Sequence, residues 1–305
     1  MTSRRHFTVG VILNVWQGDN VNDVRSSLQS ILDQTFKPDD VLIVADGPIS
    51  AELMRFFDDH QTDMRFLMAG DQPNGLAAAR NFGIRHLTTD YIMVQDADDV
   101  SHPQRLEIFH HLLSLSEIAP DLVSSGMLEF DSGTAQICGF RDAPDAEKPI
   151  AEQLRRRNVI NHPTVFFKQA SLAKNGSYQV LNKLEDYLTW ATLSCNPEFI
   201  FGVIDVPLVA FRVTPGYLRR RGGLGLLKSE LHLQKALRST LPRKPSAASR
   251  IGRIAYTAAP PLFRKCLSNV ILSKQNSLKW TDVHQFTSDD IMSEARLVVI
   301  PSEIE

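Results

Sequence analysis

The chain has 305 residues, of which 43% are hydrophobic and 22% charged; it can bury a full core and has no bias toward disorder or fibre formation. Cys138, Cys195 and Cys266 show no C-x-x-C or Cys/His ligand spacing, which argues against a disulfide scaffold or structural zinc and makes a reducing compartment the default. The net charge of -2 is laid out unevenly: residues 1–213 hold 18 Lys and Arg against 28 Asp and Glu, residues 219–274 hold 13 against Glu230 alone, and residues 275–305 hold 2 against 6.

In chain order, Val9–Val15 reads as a strand. Val21, Val24, Leu28, Ile31 and Leu32 follow at helical spacing behind the cap candidates Asn20 and Asn22. Val41–Val44 is a second buried strand, and a helix begins near Ser50 with Leu53, Phe56 and Phe57 inward. Arg65–Met68 is a third strand, Gly75–His86 a small-residue helix, Tyr91–Gln95 a fourth strand and Pro103–Leu115 another helix. Repeated β–α units predict an α/β fold with a mostly parallel sheet flanked by helices on both faces.

Ligands in such sheets bind beyond the carboxyl ends of the strands. Three loops qualify: Trp16–Asn20, Asp46-Gly47 and Asp96-Ala97-Asp98-Asp99. Neither G-x-G-x-x-G nor G-x-x-x-x-G-K-[ST] follows the first strand, so the usual Gly-rich phosphate cradles are excluded there. Carboxylates at a strand end can hold Mg²⁺ or Mn²⁺ with positions left open for phosphate oxygens. The plainer alternative is that Asp99 or Ser101 caps the next helix. Glu185-Asp186 likewise reads, taken alone, as an acidic pair complementing the dipole of a helix over Tyr187–Leu193.

Around residue 214 the composition shifts, so we divide the chain into residues 1–213 and a basic, largely helical extension over 214–305. Pro260-Pro261 opens a stripe of Leu262, Phe263, Cys266, Leu267, Val270 and Ile271 beside Arg264 and Lys265. It fits a basic amphipathic helix on a membrane, or one packed on the main domain. A basic segment on an acidic body predicts an anionic partner, membrane headgroups or nucleic acid. Tyr256 and Phe263 are its clearest aromatics for base stacking, poor material for nucleic acid. No apolar run follows Met1–His6 and none approaches the roughly 20 residues that span a bilayer, so neither a signal peptide nor a spanning helix is expected.

Several segments in order resemble a family 2 glycosyltransferase of GT-A fold. They are Val11–Gly18, Val41–Gly47, Asn74-Gly75-Leu76-Ala77-Ala78-Ala79-Arg80-Asn81-Phe82-Gly83, Asp96-Ala97-Asp98-Asp99, and Glu185-Asp186 before Tyr187-Leu188-Thr189-Trp190. The resemblance covers roughly residues 7–213 and is nearest to bacterial enzymes of capsule, exopolysaccharide and lipopolysaccharide assembly. Two departures fall in the expected nucleoside pocket. Asn14 and Trp16 stand where the family usually has Pro and Tyr, and Ala45-Asp46 where two aspartates are frequent.

The resemblance implies an inverting transferase moving a sugar from a nucleotide donor, a UDP-sugar, to a growing lipid-linked glycan. It implies donor contacts from Asn14, Trp16, Asp46, Asn74, Arg80, Asp96 and Asp98, a Mn²⁺ or Mg²⁺ ion on Asp98 and Asp96, and Asp186 as base with Glu185 as the fallback. His162 is a candidate near the acceptor or the ion, and Arg219, Arg220 and Arg221 are candidates to close over the diphosphate or meet lipid headgroups. The expected setting is cytoplasmic, peripheral on the cytoplasmic face of the inner membrane through residues 219–274. The competing readings are a metal-dependent nucleotidyltransferase, which lacks support because no Gly-rich basic loop follows the first strand, and a non-catalytic nucleic-acid-binding protein using the basic tail.

Overall fold

A computed structural model describes residues 6–60, 62–179, 181, 183–215, 224–241, 243–259 and 279–301. Arg219, Arg220, Arg221 and the Leu262–Ile271 stripe lie outside the described residues.

The first half alternates as expected: β1 (Val9–Val15), α1 (Val21–Leu32), β2 (Asp40–Ala45), α2 (Ala51–Asp58), β3 (Arg65–Met68), α3 (Leu76–Ile84) and β4 (Tyr91–Asp96). Asn20 caps α1 by accepting from the amides of Asn22 and Asp23, and Ser50 caps α2. A short β5 (Val100–Ser101) and α4 (Arg105–Leu115) follow. The capping role considered for Asp99 or Ser101 is not realised: the residue before α4 is Gln104, which makes no side-chain cap. Ser101 instead donates to Gln95 Oε1 at 2.7 Å.

Strands β3, β2, β1 and β4 run parallel. Beyond β4 the sheet is mixed. β8 (Phe166–Lys168) enters antiparallel between β4 and β6 (Leu122–Asp131), and β7 (Ile137–Arg141) returns from β6 as a hairpin. Antiparallel neighbours need only a short return, whereas each parallel pair needs a crossover element. The sheet order is β10-β9-β6-β8-β4-β1-β2-β3, with β10 (Leu297–Ile300) at one edge and β9 (Phe201–Val213) parallel to β6.

Alternation along β1 sorts the core into two layers. Val9, Val11, Leu13 and Val15 face Leu28 and Ile31 of α1, Phe56 and Phe57 of α2, and Phe109 of α4. Ile12 on the opposite face joins Val44 and Val94, Ala77 and Ala79 of α3, and Trp190 of α7 (Glu185–Leu193). Trp190 is fully buried. Helix α3 lies close to the sheet at Gly83: a Cβ there would sit 2.8 Å from Val44 Cγ2 and collide with Ile12. Gly83→Ala is therefore expected to lower stability by about 1–3 kcal/mol through overpacking, read by urea denaturation.

The chain after residue 213 returns to this core. Helix α8 (Leu224–Thr240) buries Leu233 and Leu237 in the layer that holds Trp190. Phe286 of α10 (Val283–Ser288), with Trp280 and Ile291, joins the opposite layer. The last strand, β10 (Leu297–Ile300), pairs antiparallel with β9. Glu230, the lone acid of the basic segment, is buried on α8 and takes a two-point hydrogen bond from Arg253 of α9 (Ala247–Ala258), at 3.0 and 2.8 Å.

Candidate active site

The carboxyl ends of β1, β2 and β4 form one edge. Asn14 sits opposite Asp96 in the β1–β4 register, and Val15 opposite Ala45 in the β1–β2 register. Asp46 follows β2 and accepts from the amides of Asn74, at 2.8 Å, and Gly75, at 3.0 Å, so its carboxylate ties the loop before α3 to the strand edge. Gly47 makes the approach possible, with φ at +79° and the Pro73 nitrogen only 2.7 Å from where a Cβ would stand. Asn74 is exposed on that loop. Trp16 is half exposed, its ring lying over Gly18, and its amide donates to Asp19 Oδ2 at 2.9 Å.

Arg80 of α3 is the hub. Its guanidinium is almost wholly buried, donates to Glu185 Oε1 at 3.0 Å, reaches Asp96 Oδ1 at 3.4 Å and lies over the Tyr178 ring at 5.4 Å. Burial opposes its charge, but Asp96, Tyr178, Glu185 and Asp186 outweigh that and hold its pKa above the ordinary value. One cation thus joins the strand-end aspartates to the acidic pair far along the chain. The neighbouring Asn81 turns away and exchanges two hydrogen bonds with the Tyr178 backbone, at 2.8 and 2.9 Å.

His162 lies in a 3-10 turn, His162–Thr164, buried between Asp96 and Tyr178. Its Nε2 meets the Tyr178 hydroxyl at 2.9 Å and its Nδ1 lies 3.9 Å from Asp96 Oδ1. Burial, with Arg80 nearby, holds its pKa well below the ordinary value. The acidic pair opens α7 behind two non-glycine residues in the left-handed region, Lys183 at φ 73° and Leu184 at φ 64°. Such strain persists only where surrounding structure enforces it, and here it precedes the residues that point at Arg80. Asp186 Oδ2 accepts from Asn158 Nδ2 at 2.9 Å.

Burial raises the Asp98 carboxyl to about 6, with Asp96 adding to the effect. Burial likewise raises Asp19 to about 6, and Asp98 and Asp96 push in the same direction. Asp99 is fully buried; burial, then Asp98 and Asp96, lift its pKa well above the carboxylate range, and it accepts from the Arg212 amide at 3.0 Å. Arg212 of β9 also fixes the turn by donating to the Asp98 carbonyl at 2.7 Å, and its Nε lies 3.3 Å from Asp23. Among the described residues no three His, Cys, Asp or Glu side chains form a metal-holding group. The two carboxylates of Asp96 and Asp98 are a hard-oxygen set that fits Mg²⁺ or Mn²⁺ when phosphate oxygens and water complete the coordination.

The structure therefore brings Asn14, Arg80, Asp96, Asp98, His162, Glu185 and Asp186 to one cleft edge, with Trp16, Asp46 and Asn74 around the ends of β1 and β2. Sequence reasoning missed Asp19, Asp99, Arg212, Tyr178 and Asn158 as site residues. Asp19 was within reach, since its loop follows the first strand. Arg212, Tyr178 and Asn158 carry no local signal and arrive through tertiary folding.

The Glycosyl transferase family 2 model matches residues 19–114. An uncharacterized glycosyltransferase of Haemophilus influenzae is 27% identical over 228 residues, 74% of this chain and 83% of that protein. The amylovoran biosynthesis glycosyltransferase AmsE of Erwinia amylovora is also 27% identical, over 74% of this chain and 84% of its own length. The UDP-Gal:alpha-D-GlcNAc-diphosphoundecaprenol beta-1,3-galactosyltransferase of Escherichia coli is 28% identical over 231 residues, 73% of this chain and 81% of that enzyme. The crystal structure of S. aureus TarS 1-349 in complex with UDP-GlcNAc shares the fold, with a TM-score of 0.59 at 15% identity over 88% of this chain and 74% of that one. Family match, relatives and fold together support a glycosyltransferase with the GT-A fold, similar over residues 19–114 to family 2 and along most of the chain to bacterial enzymes of surface-polysaccharide assembly.

Proposed function

We propose that the protein is an inverting transferase that moves a sugar from a UDP-sugar to a lipid-linked glycan at the cytoplasmic face of the inner membrane. The observation that carries this is Arg80, which spans Asp96 and Glu185 and so unites the donor edge with the acidic pair. The Escherichia coli relative, whose name specifies UDP-Gal and a diphosphoundecaprenol acceptor, supports the choice of donor and acceptor class.

Among the described residues Asn14 Nδ2, Arg80 Nε and His162 Nδ1 are buried polar atoms without a hydrogen-bond partner. Buried polar groups are rarely left unpaired, and a bound nucleotide sugar supplies the missing partners. Trp16 offers an aromatic face for the base. Asp96 and Asp98 would hold the Mg²⁺ or Mn²⁺, which when bound offsets the charge developing on the departing diphosphate. Arg80 and Arg212 keep the carboxylates in place for that task. Asp186, oriented by Asn158, takes the proton from the acceptor hydroxyl as it attacks the anomeric carbon. Attack on the face opposite the leaving group inverts the centre. Glu185 is already engaged by Arg80, which favours Asp186 for the proton.

Donor binding is tested by thermal denaturation with UDP and Mn²⁺. At a free ligand concentration one hundred times Kd the native state gains about 2.7 kcal/mol, a shift of several degrees. Asp98→Asn is expected to abolish the cation-dependent part of that shift. An identical shift in this variant removes Asp98 from the ion site.

Among the described residues no helix is long and apolar enough to cross a membrane. Attachment through residues 219–274 rests on their charge, 13 Lys and Arg against Glu230, which draws an anionic surface.

A further inference from the structure

His162 and Tyr178 lie on the connections that follow α5 (Ile150–Arg156) and α6 (Gln169–Asn175), and the two side chains meet beside Asp96. Asn81 exchanges hydrogen bonds with both the amide and the carbonyl of Tyr178, Arg80 lies over its ring at 5.4 Å, and Trp190 meets that ring edge-on at 5.7 Å. His162 in turn stacks on Trp190 at 6.0 Å. Both rings are buried and packed on several sides, so the bond between them, 2.9 Å from Nε2 to the hydroxyl, is held by its surroundings.

A neutral imidazole has one N–H and one lone pair, and the bond made by one nitrogen decides which of them the other presents. Two considerations agree on the outcome for His162. Among the described residues its Nε2 is the one hydrogen-bond partner of the Tyr178 hydroxyl. A buried hydroxyl that only accepted would leave its own proton unpaired, at a cost; a hydroxyl that donates to Nε2 sends the ring proton to Nδ1. The second consideration is charge. Nδ1 faces Asp96 Oδ1 at 3.9 Å, and a carboxylate attracts an N–H and repels a lone pair. Burial and Arg80 oppose the charged ring, but an imidazolium also carries a proton on Nδ1, so an N–H points at Asp96 in either state.

We propose that Tyr178 is a positioning residue that fixes His162 as the Nδ1–H tautomer, so that the ring offers the cleft a hydrogen-bond donor beside Asp96 and no lone pair. Tyr178 occupies Nε2 and the proton occupies Nδ1, which takes His162 out of the ion site and assigns it to an oxygen. At 3.9 Å the N–H is too far from Asp96 for a good hydrogen bond, and it is free to meet a ligand. With Nδ1 protonated, the three unpartnered atoms on this edge, Asn14 Nδ2, Arg80 Nε and His162 Nδ1, are all donors. A ligand that satisfies them is rich in acceptor oxygens, as a nucleotide's phosphates and sugars are. That choice of ligand rests on the glycosyl-transfer reading; the tautomer does not.

The test is two-bond ¹H–¹⁵N correlation NMR of the full-length protein carrying ¹⁵N-labelled histidine, in which protonated and unprotonated ring nitrogens resonate far apart. The chain has nine histidines, and His162→Gln identifies the signal of interest. Wild-type His162 is expected to show a protonated Nδ1 and an unprotonated Nε2, both alone and with UDP and Mg²⁺. Tyr178→Phe removes only the hydroxyl. An imidazole left to itself carries its proton mostly on Nε2, so the signal should move toward that form, and binding of UDP with Mg²⁺ should weaken by roughly two- to tenfold, the worth of one hydrogen bond. The tautomer is read on folded protein, so a change in melting temperature does not bear on it. A wild-type ring protonated on Nε2 alone or on both nitrogens overturns the assignment, as does an unaltered Nδ1–H form in Tyr178→Phe. Loss of the Nδ1 proton when UDP and Mg²⁺ bind also overturns it, since that marks a ring that ligates the ion. The two readings fail separately: a wrong tautomer with normal stabilisation by UDP and Mn²⁺ removes this assignment alone, and the expected tautomer without that stabilisation removes the transferase reading alone.

Discussion

Asp186→Asn is expected to lower the turnover of sugar transfer by about 10²–10⁴-fold, the range that a positioned general base contributes. The substitution is nearly isosteric, and an asparagine oxygen can still accept from Asn158 Nδ2, which now sits 2.9 Å from Asp186 Oδ2. What is lost is the ability to take a proton. Stabilisation by UDP and Mn²⁺ should match the wild type, because the proposed mechanism gives Asp186 a task on the acceptor and none on the donor. Glu185→Gln is the companion variant. Its carboxylate is bound to Arg80, and burial raises its pKa despite that cation, so this change should weaken the cluster more than the proton transfer. Full activity in Asp186→Asn together with inactivity in Glu185→Gln would exchange the two roles.

Removing Arg80 should produce the largest loss of stability among the site residues. Arg80→Ala leaves the partly buried carboxylates of Asp96 and Glu185 without their shared, buried cation and empties the space over Tyr178. Breaking a buried pair from one side costs about 3–5 kcal/mol, mostly through the charge left behind. Urea denaturation of Arg80→Ala tests this directly. Combining it with Glu185→Gln should recover part of the loss, since contacting residues couple by about 0.5–3 kcal/mol. Arg80→Lys keeps the charge but lacks the planar fork that reaches two carboxylates, and should fall between. A loss below about 1 kcal/mol would place Arg80 among ordinary surface pairs.

The strand ends were legible to within one residue, Val15 as expected, Ala45 where Val44 was expected and Asp96 where Gln95 was, because buried parallel strands write themselves as short β-branched runs. The caps of α1 and α2 were legible because Asn20 and Ser50 act on amides two or three residues away. The partnership of Arg80 with Glu185 was not, because it depends on two helices meeting across the sheet edge. Charge counting also treated the segment after residue 213 as one basic surface, yet it contains the buried Glu230–Arg253 pair and Leu233 and Leu237 in the core. A count of charges does not distinguish a solvated lysine from an arginine that is packed on Tyr187 and paired with a carboxylate. Asp99 and Ser101 mimic a helix-start signal, but burial recruited both into the network around Arg105, whose guanidinium donates to Ser101 Oγ at 2.9 Å and to the carbonyls of Val94 and Pro163 at 3.0 and 2.8 Å.

The pairing of β10 with β9 bears on biosynthesis. A nascent polypeptide leaves the ribosome amino end first, so earlier segments can collapse long before Leu297–Ile300 emerge. Until then the Phe201–Ile204 edge that β10 will cover is open to pairing with other chains. A stop codon ahead of residue 297 would release a protein with an intact acidic cleft and an uncovered sheet margin, and the hazard of such a product is clumping with its neighbours.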